Sequence, residues 1–312
     1  MVVSLMRRML LAGSTNEWLR RQAMQRRFVR SAVTRFMPGE SVDDALRAAG
    51  ELQGQSIGTI ITNLGENVSE RAEAQAVLDH YRQVLDRLPA TGLDTEVSVK
   101  LTQLGLDLDP ALAVAHTIDL ARRSAAIGRR LWIDMESSAY VERTLDVYRQ
   151  VLAQEKQVGV CLQAYLHRTA ADLESLIPLG CAIRMVKGAY QEPPEVAMPR
   201  KADVDESYFR LSGRLLDDDA RRAGCHVTLA THDRTLIHRL IADAERRHVP
   251  KSGYEFALLY GIQRGEQLRL AAAGHRVRVL ISYGSSWFPW YMRRLAERPA
   301  NVWFVVRGLA GR

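Results

Sequence analysis

Val158-Gly-Val-Cys-Leu-Gln-Ala-Tyr165, an amphipathic segment over Ala170–Ile177, and then Ala182-Ile-Arg-Met-Val186 decide how this chain folds. Two short runs rich in Val, Ile and Leu flank one helical pattern, which is the signature of a strand–helix–strand unit with parallel strands. The same alternation recurs on both sides. Further strand-like runs fall at Ile57–Thr62, Glu96–Leu101, Leu131–Met135, His226–Ala230, Tyr254–Leu259 and Arg276–Ile281. Helical patterns lie between them at Glu70–Leu88, Pro110–Ile127, Ala139–Glu155, Asp205–Ala223, Leu236–Arg247 and Gly265–Ala273. Eight strands in alternation with helices predict an α/β fold, a distorted (β/α)8 barrel of the TIM type. An open doubly wound sheet is the competing architecture, but no G-x-G-x-x-G follows the first strand. Ahead of the barrel, leucine and arginine alternate at helical period up to a break at Pro38-Gly39, and Asp43–Leu52 reads as a short helix. The expected organisation is a helical arm over residues 1–50 and a barrel over residues 51–312.

The bulk numbers fit one large barrel. At 312 residues the chain has the usual length for it, and 47% apolar residues suffice for its core. Net charge is +7, and much of the excess is N-terminal: Arg7, Arg8, Arg20, Arg21, Arg26, Arg27 and Arg30. That asymmetry permits contact with an anionic membrane surface or with nucleic acid. No nucleic-acid motif accompanies it, so no nucleic acid is expected. No apolar stretch approaches ~18 residues, so no spanning helix is expected. Met1–Gly13 is interrupted by Arg7-Arg8 and reads as an amphipathic helix, not a secretory leader. Cys161, Cys181 and Cys225 lie in or beside apolar runs without metal-ligand spacing. They read as buried free thiols in a reducing, cytoplasmic compartment.

In such a barrel the chemistry sits at the carboxyl ends of the strands. The runs deliver Glu66, Lys100, Asp134 with Glu136, Gln163 with His167, Arg184 with Lys187, then Thr231-His232-Asp233, Tyr260-Gly261 and Tyr283-Gly284. Beyond the last run, Trp287, Phe288, Pro289 and Trp290 precede Arg293 and Arg294. A guanidinium pair walled by aromatics on the first turn of a helix is a clamp for a carboxylate. Each residue also has a plain structural reading. Lys100 is a strand-edge lysine, although a charge in a central strand is costly unless paired. Asp134 is a helix cap, and His232 is a hydrogen-bonded histidine. Lys187 before Gly188-Ala189 suits a phosphate brought close to the backbone. Three chemistries use this set. Lys187 or Lys100 forms a Schiff base, as in an aldolase. Asp134, Glu136, His167 and His232 hold a metal; this reading lacks an H-x-H pairing and is the weakest, so no metal is expected. Or Lys100, Arg293 and Arg294 hold an anionic substrate against an organic cofactor, which uses the most residues. A non-catalytic basic scaffold is the reading outside enzymes.

Eight stretches in series resemble the motifs of proline dehydrogenase, the flavoenzyme family that also supplies the first domain of bifunctional proline utilisation proteins. They are Ser98-Val-Lys-Leu101, Ile133-Asp-Met-Glu136, Gly159-Val-Cys-Leu-Gln-Ala-Tyr165, Arg184-Met-Val-Lys-Gly-Ala-Tyr190, Ala230-Thr-His-Asp233, Glu255-Phe256, Leu259-Tyr-Gly261 and Arg293-Arg-Leu-Ala-Glu297. The resemblance runs from about residue 50 to the C-terminus, and residues 1–50 resemble, less specifically, the helical arm of the single-function bacterial members. It implies a barrel holding FAD at its carboxyl face and oxidising L-proline to 1-pyrroline-5-carboxylate, with hydride passing to flavin N5 and electrons leaving to a membrane quinone. Lys100, Arg293 and Arg294 are then implied to bind the substrate carboxylate. Asp134 and Arg184 are implied active-site polar groups, with Arg184 near the flavin. Met135 and Gln163 are implied to contact the isoalloxazine, and Lys187, Gly188, Ala189, Thr231 and His232 to hold the rest of FAD. Tyr190 and Leu259 are implied to line the ring pocket, and Glu66 to pair with Arg293 as a gate. A quinone-reducing enzyme is further expected to rest its basic arm on the inner face of the cell membrane.

The chain departs from that pattern at the expected pocket. Its last strand reads Arg278-Val-Leu-Ile-Ser-Tyr-Gly284, where the family pattern is Arg-Val-Tyr-Val-Pro-Tyr-Gly. Leu280 thus replaces a tyrosine implied to pack on the substrate ring, and Ala257 replaces the usual glutamine of Glu-Phe-Gln. Either proline remains the substrate, or the pocket takes another cyclic amino acid or a proline derivative.

Overall fold

Residues 36–287 are described by the structure, a computed structural model. The chain enters through helix α1 (Val42–Gln53), whose first turn is closed by a capping box between Ser41 and Asp44. Strands β1 (Gly58–Asn63), β2 (Thr95–Val99), β3 (Leu131–Ile133), β4 (Val158–Gln163), β5 (Ala182–Val186), β6 (His226–Ala230), β7 (Glu255–Leu259) and β8 (Arg276–Tyr283) then alternate with helices. These are α2 (Arg71–Thr91), α3 (Pro110–Ala126), α4 (Val141–Leu152), α5 (Thr169–Leu176), α6 (Lys201–Leu215), α7 (Asp218–Arg222), α8 (Arg234–Arg246) and α9 (Arg264–Ala272). The strands close into one barrel in chain order, and β1 pairs in parallel with β8, Ile60 opposite Leu280. The expected (β/α)8 barrel is the fold found. Of the expected arm, residues 1–35 lie outside the described residues, as do Phe288, Pro289, Trp290 and the Arg293-Arg294 pair.

The element boundaries differ from the sequence reading where side chains intervene. The helix expected over Asp205–Ala223 is two, α6 and α7. Asp217 between them has extended backbone (φ −63°, ψ 152°), and Arg214 and Arg247 both hold its carboxylate. The strand expected over Glu96–Leu101 stops at Val99, so Lys100 starts the loop instead of lying within the sheet. Asp134 likewise follows a short β3, although its amide still donates to the Val99 carbonyl at 2.8 Å.

Period-two alternation sets what points inward. Trp132 of β3 is fully buried, clusters with Ile60 and Ala182, and packs against Leu280. Glycine at 159, opposite it on β4, makes room: a Cβ there would lie 2.5 Å from the indole ring. The indole stands across the barrel interior, with the Arg184 guanidinium 5.2 Å from its ring centroid and that of Arg130 at 5.7 Å. Trp132 Nε1 donates to Glu96 at 2.6 Å. Toward the amino ends of the strands, Arg278 pairs with Glu255 (3.1 Å), Asp94 (3.2 Å) and Glu96 (3.5 Å), and Glu255 also accepts from Thr228 at 2.8 Å. Buried charge of this kind is tolerable only with partners.

Burial pushes the Glu255 carboxyl up, but His226, Arg278 and Thr228 prevail and hold it at about 2, against an ordinary 4.5. A carboxyl depressed in the folded state stabilises fully above its unfolded value, and that stability is lost as pH falls through the folded value. The urea midpoint should therefore fall between pH 4.5 and about 2. Glu255→Gln should cost about 2 kcal/mol at neutral pH and flatten this acid slope. An unaltered slope in the variant would show that other carboxylates set it.

Candidate active site

The carboxyl ends of the strands open into a cleft of about 940 Å³. Its walls follow the inward alternation: Lys100 two residues after Ser98, Asp134 two after Trp132, Cys161 and Gln163 on β4, Arg184 and Val186 on β5, Ala257 and Leu259 on β7, Leu280 and Ser282 on β8.

A charge cluster forms its floor. Arg184 is 3% exposed and donates through Nη2 to Asp134 and, at 2.9 Å, to Ser98 Oγ. Its Nε meets the Cys161 sulfur at 2.8 Å. Ser98 Oγ donates to Asp134 at 2.7 Å, and Lys100 Nζ lies 3.7 Å from the second Asp134 oxygen. Burial alone would raise the Asp134 carboxyl, yet Arg184 and Lys100 outweigh it and hold it below the usual carboxylate range. Asp134 is therefore an ionised anchor at neutral pH, and the helix-cap reading does not hold. Burial pushes the Cys161 thiol up to about 11, so its sulfur is a neutral acceptor.

Two buried polar atoms beside this cluster have no partner among the described residues: Arg184 Nη1 and Gln163 Oε1. Gln163 Nε2 is engaged, donating to the Glu136 carbonyl at 3.1 Å. Buried orphans cost about 1–3 kcal/mol each, and these two share one cleft wall. Met135 lies beside them, buried.

The β5–α6 side holds a second charge set. Lys187 Nζ donates to Asp205 and to Asp233 (3.0 Å), and Lys201 joins the same two carboxylates. Asp233 also caps α8 through the Thr235 and Leu236 amides. Burial opposes its ionisation, but Lys187 above all holds it at about 2. Two carboxylates, from α6 and the start of α8, thus balance the Lys187 charge. Gly188 (φ 122°) bends the chain past Tyr165, whose ring would lie 2.2 Å from any Cβ there. Ala189 and Tyr190 continue along the cleft rim, and Thr231 is buried on its wall. His232 Nε2 accepts the Leu259 amide at 2.9 Å, which places its ring proton on Nδ1 and bears out the hydrogen-bonding reading.

Several expected residues do not gather. His167 is exposed and bonds the Pro194 carbonyl. Glu136 is buried away from the cleft, accepting the Thr102 amide and hydroxyl, and burial raises its carboxyl. Among the described residues no three His, Cys, Asp or Glu are grouped to hold a metal. Glu66 reaches the cleft, but its expected partner Arg293 lies outside the described residues, as does Arg294. Trp287, expected to wall that pair, is buried and donates to Glu40 at 2.8 Å. Ser98 and Cys161 are site residues that motif reading alone passed over. Their signal was the period of two that puts them on the same face as Lys100 and Gln163.

A family profile described as "Proline dehydrogenase" matches residues 45–307. The chain is 35% identical over 283 residues to proline dehydrogenase 1 of Bacillus subtilis strain 168, covering 90% of this chain and 91% of that one. It is 34% identical over 314 residues to the proline dehydrogenase of Deinococcus radiodurans, covering 99% of each. The crystal structure of proline utilization A from Bdellovibrio bacteriovorus, inactivated by N-propargylglycine, shares the fold with a TM-score of 0.80 at 23% identity. That match covers 86% of this chain and 33% of the longer protein. Together with the barrel and its cleft, the near full-length matches show that the chain belongs to the proline dehydrogenase family, the enzymes that oxidise proline to 1-pyrroline-5-carboxylate.

Proposed function

We propose that this enzyme oxidises L-proline with FAD bound along the cleft, and passes the electrons to a quinone-type acceptor. The family is flavin-dependent. The observation that carries the FAD reading is the pair of unpartnered buried atoms, Arg184 Nη1 and Gln163 Oε1, on one wall of a cleft large enough for a dinucleotide. Such a wall suits a flat heterocycle that both donates and accepts. Met135, Gln163 and Arg184 would hold the flavin ring, and Lys187, Gly188, Ala189, Thr231 and His232 the remainder. The bound flavin supplies the acceptor for the hydride that leaves the ring carbon beside nitrogen.

The protein's own residues supply position and charge. Lys100, Arg293 and Arg294 would bind the substrate carboxylate, with Glu66 and Arg293 forming a gate over it. Asp134 remains ionised and serves as the anchor that aims Lys100 and Arg184. Tyr190, Leu259 and Leu280 would wall the apolar ring and exclude water. The Schiff-base reading loses support because both candidate lysines are engaged in ion pairs, Lys100 with Asp134 and Lys187 with two aspartates. The second reading, another cyclic amino acid or proline derivative, keeps one specific observation in its favour: Leu280, Ser282 and Ala257, departures from the family pattern, all face the cleft. Among the described residues no helix is long and apolar enough to cross a membrane. The reading places the enzyme in the cytoplasm, with its basic N-terminal segment resting on the inner membrane face.

Anaerobic mixing of the purified flavoprotein with L-proline should bleach the flavin faster than any other member of a panel of cyclic amino acids. Bleaching by a different cyclic amine alone would keep the fold and reassign the substrate. A protein that binds no FAD would end the proposal. Arg184→Lys keeps the charge but loses the planar fork, and should lower kcat/KM by roughly 30-fold, the equivalent of one charge-assisted bond of about 2 kcal/mol. Lys100→Ala should act mainly on KM. Equal kinetics in both variants and the parent would remove these residues from the site. Liposomes carrying anionic lipid should bind the enzyme in a salt-sensitive way that disappears when residues 1–30 are deleted. Retention of full binding by the truncated protein would place the membrane contact elsewhere.

A further inference from the structure

Two thiols meet at the opposite end of the barrel from the cleft. Cys181 immediately precedes β5, and Cys225 immediately precedes β6. These strands pair in parallel with Ala182 opposite His226, and the His226 amide donates to the Cys181 carbonyl at 3.0 Å. The cysteines are thus the pair one step earlier in the same register. Neighbouring strands lie ~4.8 Å apart, inside the ~4.4–6.8 Å window that a disulfide spans between Cα atoms. Residues in register also send their side chains to the same face. The two sulfurs are 3.6 Å apart. At a strand spacing inside that window, side-chain rotation is the movement that closes the gap to the ~2.05 Å of a bond.

The two thiols are unequal in a useful way. Cys181 is buried, whereas Cys225 is partly exposed and so reachable from solvent. The hydrogen bond from Cys181 lowers the Cys225 thiol from its ordinary range; burial opposes this, and the nearby Arg214 assists. Cys161, by contrast, sits at the cleft floor against Arg184 and Asp134, with its thiol raised by burial.

We propose that Cys181 and Cys225 form an oxidative modification site, which a peroxide converts into an intramolecular disulfide stapling β5 to β6. The Cys225 thiolate attacks one peroxide oxygen and the O–O bond breaks. Hydroxide leaves and takes a proton to become water, and Cys225 is now a sulfenic acid. The Cys181 sulfur gives up its proton and attacks the sulfenic sulfur, so that the S–S bond forms, the S–O bond breaks and a second water leaves. Two thiols lose two electrons in all, and one hydrogen peroxide is reduced to two waters. The staple joins the strand that carries Arg184 to the strand that leads to Thr231 and His232, at the end away from the cleft. It does not depend on which amino acid the enzyme oxidises.

The test treats the full-length, flavin-loaded protein with stoichiometric hydrogen peroxide, counts free thiols in denaturant and maps peptides without reduction. The expected result is a fall from three free thiols to one, with a Cys181–Cys225 linked peptide. The unfolding midpoint should rise by roughly 5 °C, because the cross-link restricts the unfolded chain, and dithiothreitol should reverse both changes. Cys225→Ser should abolish the linked peptide and the shift in midpoint. Three thiols that persist would overturn the proposal. So would Cys225 found as sulfinic or sulfonic acid beside a free Cys181, or oxidation confined to Cys161. Mapping the unsubstituted protein decides the matter even where the serine variant folds poorly.

Discussion

A guanidinium placed inside a barrel is the constraint on which the rest of this site depends. Arg184 projects from the middle of β5 into a region nearly closed to water. An unpaired charge there would cost several kcal/mol, so its surroundings are fixed by what it needs. Asp134 neutralises it, Ser98 bonds both members of the pair, the Cys161 sulfur takes Nε, and the Trp132 ring lies against its face. These partners come from β2, β3 and β4. Satisfying one side chain thereby aligns four strand ends, and Lys100 is brought to the second oxygen of Asp134 as a consequence. Charge balance and the alignment of the strand ends are not separable at this floor.

Below the floor the barrel changes character. Trp132 separates the cleft cluster from the ring of Glu96, Glu255 and Arg278, while touching both through Arg184 on one side and Glu96 on the other. Barrels commonly fill their interior with layers of branched apolar residues. Here two charged layers are held apart by one aromatic. Each is close to balanced within itself, which is what allows so much charge to be buried in one β-cylinder.

Much of this was legible in the sequence, because it is local. β5 and β6 fall on the residues read for them, Ala182–Val186 and His226–Ala230. Gly180 and Gly224, both at positive φ, turn the chain just ahead of these strands. The carboxyl-end rule pointed to Lys100, Asp134, Gln163 and Arg184, and all four line the cleft. What was not legible is long-range. The counter-ions of Lys187 come from positions 205 and 233, on other elements, and no spacing announces them. The state of His232 depends on an amide of β7, and the partners of Asp134 come from β2, from the loop after it and from β5. Glu136 follows β3 as Asp134 does, yet it points away from the cleft to Thr102, a difference that composition does not encode.

Trp132 and Gly159 also govern how this chain can change. A Cβ at 159 collides with the indole, and a small residue at 132 leaves a cavity between the two charged layers. Neither single step is easily passable, so the two positions are bound to vary together or not at all. Leu280 and Ala257 are under no such lock, since each borders open volume on one side. The floor is therefore a fixed origin and the wall a free coordinate. A lineage carrying this barrel can reshape the cleft wall one residue at a time without disturbing the charge assembly beneath.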